Sequence, residues 1–476
     1  MLVCIPLIGI LSLLLVAVAL SEKRSRINGH LVARGLALQV LLALLILTVP
    51  LGKTVFQTLG QGIEALLAFS DAGAAFVFGD LVSDGRFIFA FKLVPTIVFI
   101  SALVSVAYHI GLLQRVVSAV GWAVSKLLGV SGAEALSNAA SAFVGQVEAQ
   151  LLIKPYLPSM TRSELLTVMA GSMACIAGGV MAVYISMGIP AHYLLAASVM
   201  AIPGALVVAK IVLPEQEVSV TSNGARLNVP IHTVNLIDAL AHGALEGIKI
   251  GIAVCGVLIA FIALIAMADG ILGWLSVRFL GQALSFKQLV GMAFMPLAWL
   301  LGVPVQEAQT VGALMGTKLV ANEFVAYADL APRIAAGSLS PRAVAVASFA
   351  LCGFANLGSI AIQVGGIGEM VPERKHELAK LGVKALFCGS VASYLSAAWA
   401  GLLIAPPVPW MITALGVLAS LVLGGSLFWE AKMKKQPTHT EKNNVEPSTL
   451  MNLSSPVPVG DLLASEPNSS PPVAML

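Results

Sequence analysis

Stretches of roughly 20 apolar residues recur along the whole chain, and each is long enough to cross a ~30 Å hydrocarbon core as a helix. No other feature narrows the fold so far. Hydrophobic residues make up 58% of the 476 and charged residues only 11%, against about 45–50% apolar in soluble domains. Mean hydropathy is +0.93. The regular apolar–polar alternation of a membrane barrel is missing, so the fold class is an all-α polytopic membrane protein. A net charge of +3 gives no reason to expect a nucleic-acid partner. Cys4, Cys175, Cys255, Cys352 and Cys388 all fall in apolar segments without paired spacing. They outline neither a disulfide framework nor a zinc site, and no metal or cofactor is expected.

Spans are predicted near 2–20, 31–52, 88–113, 163–188, 191–213, 245–275, 338–364, 381–404 and 409–429. The first has no Lys or Arg before its apolar run, while Lys23, Arg24 and Arg26 follow it. That order fits a retained span with its N-terminus outside rather than a cleaved signal peptide. Thr54–Ser70 is shorter and amphipathic, as in an interfacial helix. Leu289–Val303 reads as another partial or interfacial segment.

Two acidic motifs break this pattern: GQVEAQ at Gly145–Gln150 and ANEFVAY at Ala321–Tyr327. An ionised carboxylate near a bilayer centre costs roughly 2.5–3.5 kcal/mol or more, so Glu148 and Glu323 are expected to be functional. Their segments, 133–157 and 306–329, are too interrupted to cross once and too short to cross twice. Re-entrant helical hairpins suit both, because broken backbone at depth is tolerated where it lines a protein cavity. A span with a small, polar centre follows each hairpin: GSMACIAGG (Gly171–Gly179) and CGFANLGSI (Cys352–Ile360). Hairpin then broken helix, twice, is the pattern of inverted repeats in a secondary transporter.

The chain accordingly divides into N-terminal spans and interfacial helix as scaffold (1–130), a first transport repeat (131–213), a long scaffold span with interfacial segment (214–303), a second transport repeat (304–404), an extra C-terminal span (405–431) and a disordered tail (432–476). With both hairpins non-crossing, the inner loops hold Lys23, Arg24, Arg26, Arg115, Lys126, Lys154, Arg162, Lys210, Arg226, Arg374, Lys375 and Lys380. The outer loop between the second and third spans holds Asp71, Asp80 and Asp84 against Lys53 and Arg86. That asymmetry obeys the positive-inside rule. A ninth span, followed by Lys432, Lys434 and Lys435, brings the tail to the cytoplasm.

From about Phe76 to Leu403 the chain resembles the concentrative nucleoside transporter family, in the form of a bacterial, proton-coupled nucleoside:cation symporter of the inner membrane. The resemblance rests on GAAFVFG (Gly73–Gly79), FKLVPTIVFISALVSV (Phe91–Val106), FVGQVEAQLLIKPYL (Phe143–Leu157), GTKLVANEFVAY (Gly316–Tyr327) and ALCGFANLGSIAIQVGGIG (Ala350–Gly368), met in that order. It implies a homotrimer whose protomers each move a transport domain against a fixed scaffold in the lipid bilayer. It also implies substrate contacts. Gln146 and Glu148 match positions that meet the nucleobase, Glu323, Asn356 and Ser359 match ribose-contacting positions, and Val180 and Phe354 match apolar neighbours of the substrate. The chemistry fits: amide and carboxyl groups bond a base edge, and a carboxylate beside Asn and Ser holds vicinal hydroxyls.

The coupling-ion positions depart from the family's commonest pattern. Sodium-coupled members usually have Asn where Ser141 stands and Ser where Cys175 stands, with backbone carbonyls at positions matching Val144 and Ile176. Sodium is a hard cation that prefers oxygen, and cysteine sulfur is a poor substitute. The sodium site therefore reads as degenerate and proton coupling as the better expectation, with Glu323 as the proton-carrier candidate. Sodium coupling is the alternative. Val147 stands where a hydroxyl residue is frequent, and Gln150 where Pro is common.

Each residue also has a plainer reading. On that reading Gln146 and Asn356 are interhelical glue, Ser359 and Phe354 are packing, and Glu148 or Glu323 is a structural partner of Lys154 or Lys318. Gln306 and Glu307 read as a helix-start feature; His109, His232 and His242 are given no role. A membrane-embedded enzyme using Glu148 or Glu323 is the competing class, but no nucleophile–base pair, metal-ligand cluster or phosphate loop lies beside either carboxylate in the sequence.

Overall fold

The computed structural model describes residues 5–83, 89–222, 224–225, 233–404 and 409–435. Among them, nineteen α-helices follow in chain order. The N-terminal part holds α1 (Ile5–Ala19), α2 (Gly29–Leu47), α3 (Pro50–Phe78), α4 (Asp80–Ser83), α5 (Phe89–His109) and α6 (Leu112–Leu128). Next come α7 (Gly132–Ser141), α8 (Glu148–Leu151), α9 (Arg162–Ala174), α10 (Gly178–Ser186) and α11 (Ala191–Val212), then α12 (Leu236–Leu280) and α13 (Phe286–Leu300). The last group is α14 (Val305–Val320), α15 (Glu323–Ala335), α16 (Pro341–Leu351), α17 (Leu357–Met370), α18 (Lys375–Leu403) and α19 (Pro409–Lys435). Met1–Trp429 form one compact unit; of the remainder, the described residues 430–435 are helical.

Among the described residues, seven helices or helix pairs are long and apolar enough to cross a membrane, including α2, α5, α9 with α10, α11 and α12. The predicted span at 163–188 is two helices broken at 175–177, and that at 338–364 is broken at 352–356. Both breaks fall in the small-residue centres, where Gly and polar side chains offer little packing to continue a helix. The hairpins take the expected form of two short helices with a break between: α7 and α8 in the first, α14 and α15 in the second. α13 bends by 117° into α14 at the interval 301–304.

Some boundaries differ from expectation for definable reasons. The second span stops at Leu47, and Pro50, favourable in a helix's first turn, opens α3 instead. α3 runs 29 residues, well beyond Thr54–Ser70, so Asp71 lies in helix rather than loop and meets Lys92 at 3.4 Å. The amphipathic α6 has no counterpart among the predicted elements. Gly129, at φ +70°, ends it and lets the chain turn to Ser131, whose side chain caps α7 with Glu134 in a reciprocal capping box. The expected tail beyond 435 lies outside the described residues.

α11 over most of its length and α18 from Ala385 to Leu403 are buried and form the centre against which α9, α16 and α17 pack. α5 and α12 pack on each other, and most of α12, 45 residues long, turns apolar side chains such as Ile252, Ile259 and Trp274 outward. At the base of the first hairpin Lys210 pairs with Glu134 at 2.9 Å and Glu215 at 3.1 Å. Burial pushes the Glu215 carboxyl up, but Lys210 and the bond from Thr161 outweigh it and hold that loop group below its ordinary range.

Candidate functional site

The two helix breaks meet. The Phe354 N–H donates to the Cys175 carbonyl at 3.3 Å. Gly353, at φ +115°, lies so close to α9 that a Cβ there would sit 2.6 Å from the Ala174 carbonyl oxygen. Only glycine suits both demands. Gly178, opening α10, donates to the Phe143 carbonyl of the first hairpin at 3.0 Å. Buried Lys318 donates to the carbonyls of Ala350 (2.9 Å) and Cys352 (3.3 Å), placing an ammonium at the negative end of α16.

A line of polar side chains runs from the second hairpin to the first. Glu323 opens α15 directly after the cap residue Asn322, so its carboxylate sits at a helix N-terminus. Its Oε1 accepts from Tyr184 Oη at 3.0 Å and its Oε2 from Asn356 Nδ2 at 3.1 Å. Asn356 caps α17, and its Oδ1 accepts from the Ser359 N–H at 2.9 Å. Gln146 Nε2 donates to Ser359 Oγ at 3.4 Å, and Gln363 Nε2 donates to Gln146 Oε1 at 3.4 Å and to the Met169 carbonyl at 3.1 Å. Glu323, Asn356, Ser359 and Gln363 are all buried. The 3.4 Å bonds of Gln146 are long and hence weak, so they open readily toward a better partner.

Beside this line lies a cavity of about 550 Å³, within the 300–1,000 Å³ usual for small-molecule sites. Gln146, Glu148, Val180 and Phe354 line it, as does Val144. Glu323, Asn356 and Ser359 stand behind that wall. The sequence-derived substrate residues are thus brought together, but in two layers. Glu148 is the exposed member: its carboxylate lies over Gly145, where a Cβ would come within 2.1 Å of it. Among the described residues neither glutamate makes an ion pair with Lys154 or Lys318. Val147 packs onto Gly366 of α17.

At the coupling-ion positions, Ser141 Oγ donates to the Ser137 carbonyl at 2.8 Å and lies 3.1 Å from Ser172 Oγ. Cys175 is buried, its thiol directed at the Ser198 carbonyl at 3.8 Å. The carbonyls of Val144 and Ile176 accept no hydrogen bond among the described residues.

Several contributors were not singled out in the sequence. Gln363 lies inside the AIQVGGIG stretch, where a lone amide in an apolar run was the available signal; Tyr184 gave none, because its partner Glu323 is 139 residues away. His242 and Glu246, one turn apart on α12, line the cavity from the opposite side. His109 bonds Thr233 at 2.6 Å, and His232 lies outside the described residues. Glu307 does more than start α14: it accepts from the Ser340 N–H and Oγ, at 2.7 and 2.6 Å, and so ties α14 to the start of α16.

Broken helices around a polar, cavity-lined centre define a membrane carrier, and comparison with known proteins specifies which. Residues 8–81 and 193–401 match the profiles for the N- and C-termini of Na+ dependent nucleoside transporters, and 90–191 match a gate profile described as nucleoside recognition. The uncharacterized transporter YutK of Bacillus subtilis is 41% identical over 84% of this chain and 98% of its own. The nucleoside permease NupC of Helicobacter pylori is 39% identical over 83% of this chain and 97% of its own. The structure of CNTnw in an inward-facing substrate-bound state is 44% identical, with a TM-score of 0.79 over 85% of this chain and 98% of that one. The chain belongs to the concentrative nucleoside transporter family, a family of transporters and not of enzymes.

Proposed function

We propose that this protein imports nucleosides by symport with protons and holds its substrate between the two hairpins. The observation that carries the reading is the line Tyr184–Glu323–Asn356–Ser359–Gln146–Gln363 at the edge of the 550 Å³ cavity. A nucleoside has a flat base with donor and acceptor edges and a sugar with vicinal hydroxyls. Glu323, with Asn356 and Ser359 beside it, suits the hydroxyls; Gln146 and Glu148 suit the base edge; Val180 and Phe354 flank its faces. Glu323 is the proton carrier: a carboxyl that takes a proton becomes a donor on one oxygen, so the bond with Tyr184 can reverse, which couples protonation to the hydrogen bonding of the site.

The open carbonyls of Val144 and Ile176 favour the sodium-coupled alternative. Against it, a serine hydroxyl stands at position 141 in place of an amide carbonyl, and the Cys175 sulfur is a soft neighbour, which leaves few oxygens for a hard cation. In the membrane, the transport repeats (131–213 and 304–404) move against the scaffold (1–130 and 214–303). In this reading the protein is a homotrimer, as the family resemblance implies, with the outward apolar face of α12 meeting lipid or a neighbouring protomer, and the N-terminus lies outside with the tail in the cytoplasm of a bacterial cell.

The test is uptake of labelled nucleoside into proteoliposomes holding the full chain. An inward proton gradient with sodium replaced by choline is expected to drive accumulation that a protonophore abolishes. Accumulation that requires a sodium gradient would overturn proton coupling and leave nucleoside transport standing.

A further inference from the structure

We propose that the Gln150 carboxamide is a neutral clamp that fixes the first hairpin's tip, and with it Gln146 and Glu148, in the substrate-ready position without a bound ion at that point. The proposal rests on reading Gln146 and Glu148 as substrate contacts.

Gln150 lies in α8, two residues beyond Glu148. Residues two apart on a helix point to nearly opposite sides, and the structure follows that rule. Glu148 faces the cavity, while Gln150 is 0% exposed. Inside, its Oε1 accepts from Ser137 Oγ of α7 at 2.7 Å, and its Nε2 donates to Ser172 Oγ of α9. Ser172 Oγ donates in turn to the Val168 carbonyl at 2.9 Å. One side chain therefore bridges three helices that meet at the hairpin break.

Besides the backbone bond from Gly178 to the Phe143 carbonyl and the packing of Val147 on Gly366, the tip has few ties. α8 is a single turn of four residues, too short to be stable by its own backbone bonds. The other side-chain ties of the tip, from Gln146 to Ser359 and Gln363, are 3.4 Å long. They are also the bonds a substrate would replace. The Gln150 amide is the side-chain tie that remains when substrate enters, so with the Gly178–Phe143 backbone bond it sets where Gln146 and Glu148 stand before binding.

The clamp also explains how this corner is filled. Gln150 Nε2 turns hydrogens toward Ser172, which lies 3.1 Å from Ser141. A cation placed among these groups would meet donors where it needs lone pairs. Amide and ion are alternatives here.

Kinetics in proteoliposomes containing the full chain test this. Gln150→Met keeps the length and bulk of the side chain and removes both bonds. It is expected to raise the nucleoside KM about tenfold while Vmax stays within about twofold. Ser172→Ala, which removes one of the two bonds Gln150 makes, is expected to raise KM by about threefold and serves where Gln150→Met does not fold. Gln39→Met is the control: Gln39 is an equally buried amide, bonded to the Met200 carbonyl and Ser396 but remote from the hairpin, and its loss is expected to lower stability at unchanged KM. An unchanged KM in folded Gln150→Met or Ser172→Ala, or an equal rise in Gln39→Met, would overturn the clamp. Should the wild type need sodium, proton coupling fails, and the same KM comparison at saturating sodium still decides the clamp.

Discussion

Glu148 and Glu323 look alike in the sequence, each a lone carboxylate in an apolar run, yet the fold gives them different duties. Glu323 is buried and both its oxygens are bonded to protein donors. Glu148 faces the cavity with no protein hydrogen bond to its carboxylate among the described residues. Glu323→Gln would keep a carbonyl oxygen for Asn356 Nδ2 but turn its N–H₂ to Tyr184 Oη, reversing that bond and removing the charge from both, at a cost of about 1.5–3 kcal/mol. It is therefore expected to lower the melting temperature of the purified protein and to abolish uptake. Glu148→Gln loses only a contact made by substrate. Its melting temperature is expected to match the wild type while uptake falls at least tenfold, as for a lost charge-assisted bond of about 1.5–3 kcal/mol. Normal uptake by both variants would refute these site assignments. The sequence exposed these carboxylates through the expense of charge in lipid, but their different partners come from Tyr184 and Asn356, which lie far along the chain.

At the level of elements, the sequence was most informative where the chain cannot remain helical. The centres GSMACIAGG and CGFANLGSI are the breaks of α9/α10 and α16/α17, because small and polar residues withdraw the packing that sustains a span. It was least informative where a helix is amphipathic. α6 carries Arg115 and Lys126 and so has no apolar window, and α12 extends well beyond 245–275 because its ends are polar enough to resemble loop. α19 is helical over Pro409–Lys435, with an apolar stretch at Ile412–Gly425. We propose that it crosses the membrane as a ninth span and delivers the basic residues after Trp429 to the cytoplasm. A reporter that is active only in the cytoplasm, fused after Lys435, is expected to be active; activity of a periplasm-dependent reporter there would refute the ninth span. Truncation at Pro407 is expected to leave transport largely intact, since no proposed site residue lies beyond it.

Across the whole molecule, the two repeats are interdependent. The second hairpin supplies Glu323, its following broken helix supplies Asn356, Ser359 and Gln363, and the first hairpin supplies Gln146 to the same line. The repeat itself was legible from order along the chain, as hairpin then broken helix, twice. Substrate roles came from the motifs' resemblance to a family, since spacing cannot bring together residues 213 apart such as Gln146 and Ser359. The central claim is that one substrate is held by both repeats. Equilibrium binding of labelled nucleoside to purified protein tests it most directly, comparing the wild type with Gln146→Ala and Asn356→Ala, one residue from each repeat. Each variant is expected to weaken binding about tenfold, from the loss of a polar partner worth about 1–1.5 kcal/mol. Wild-type affinity in either variant would contradict a site shared between the repeats.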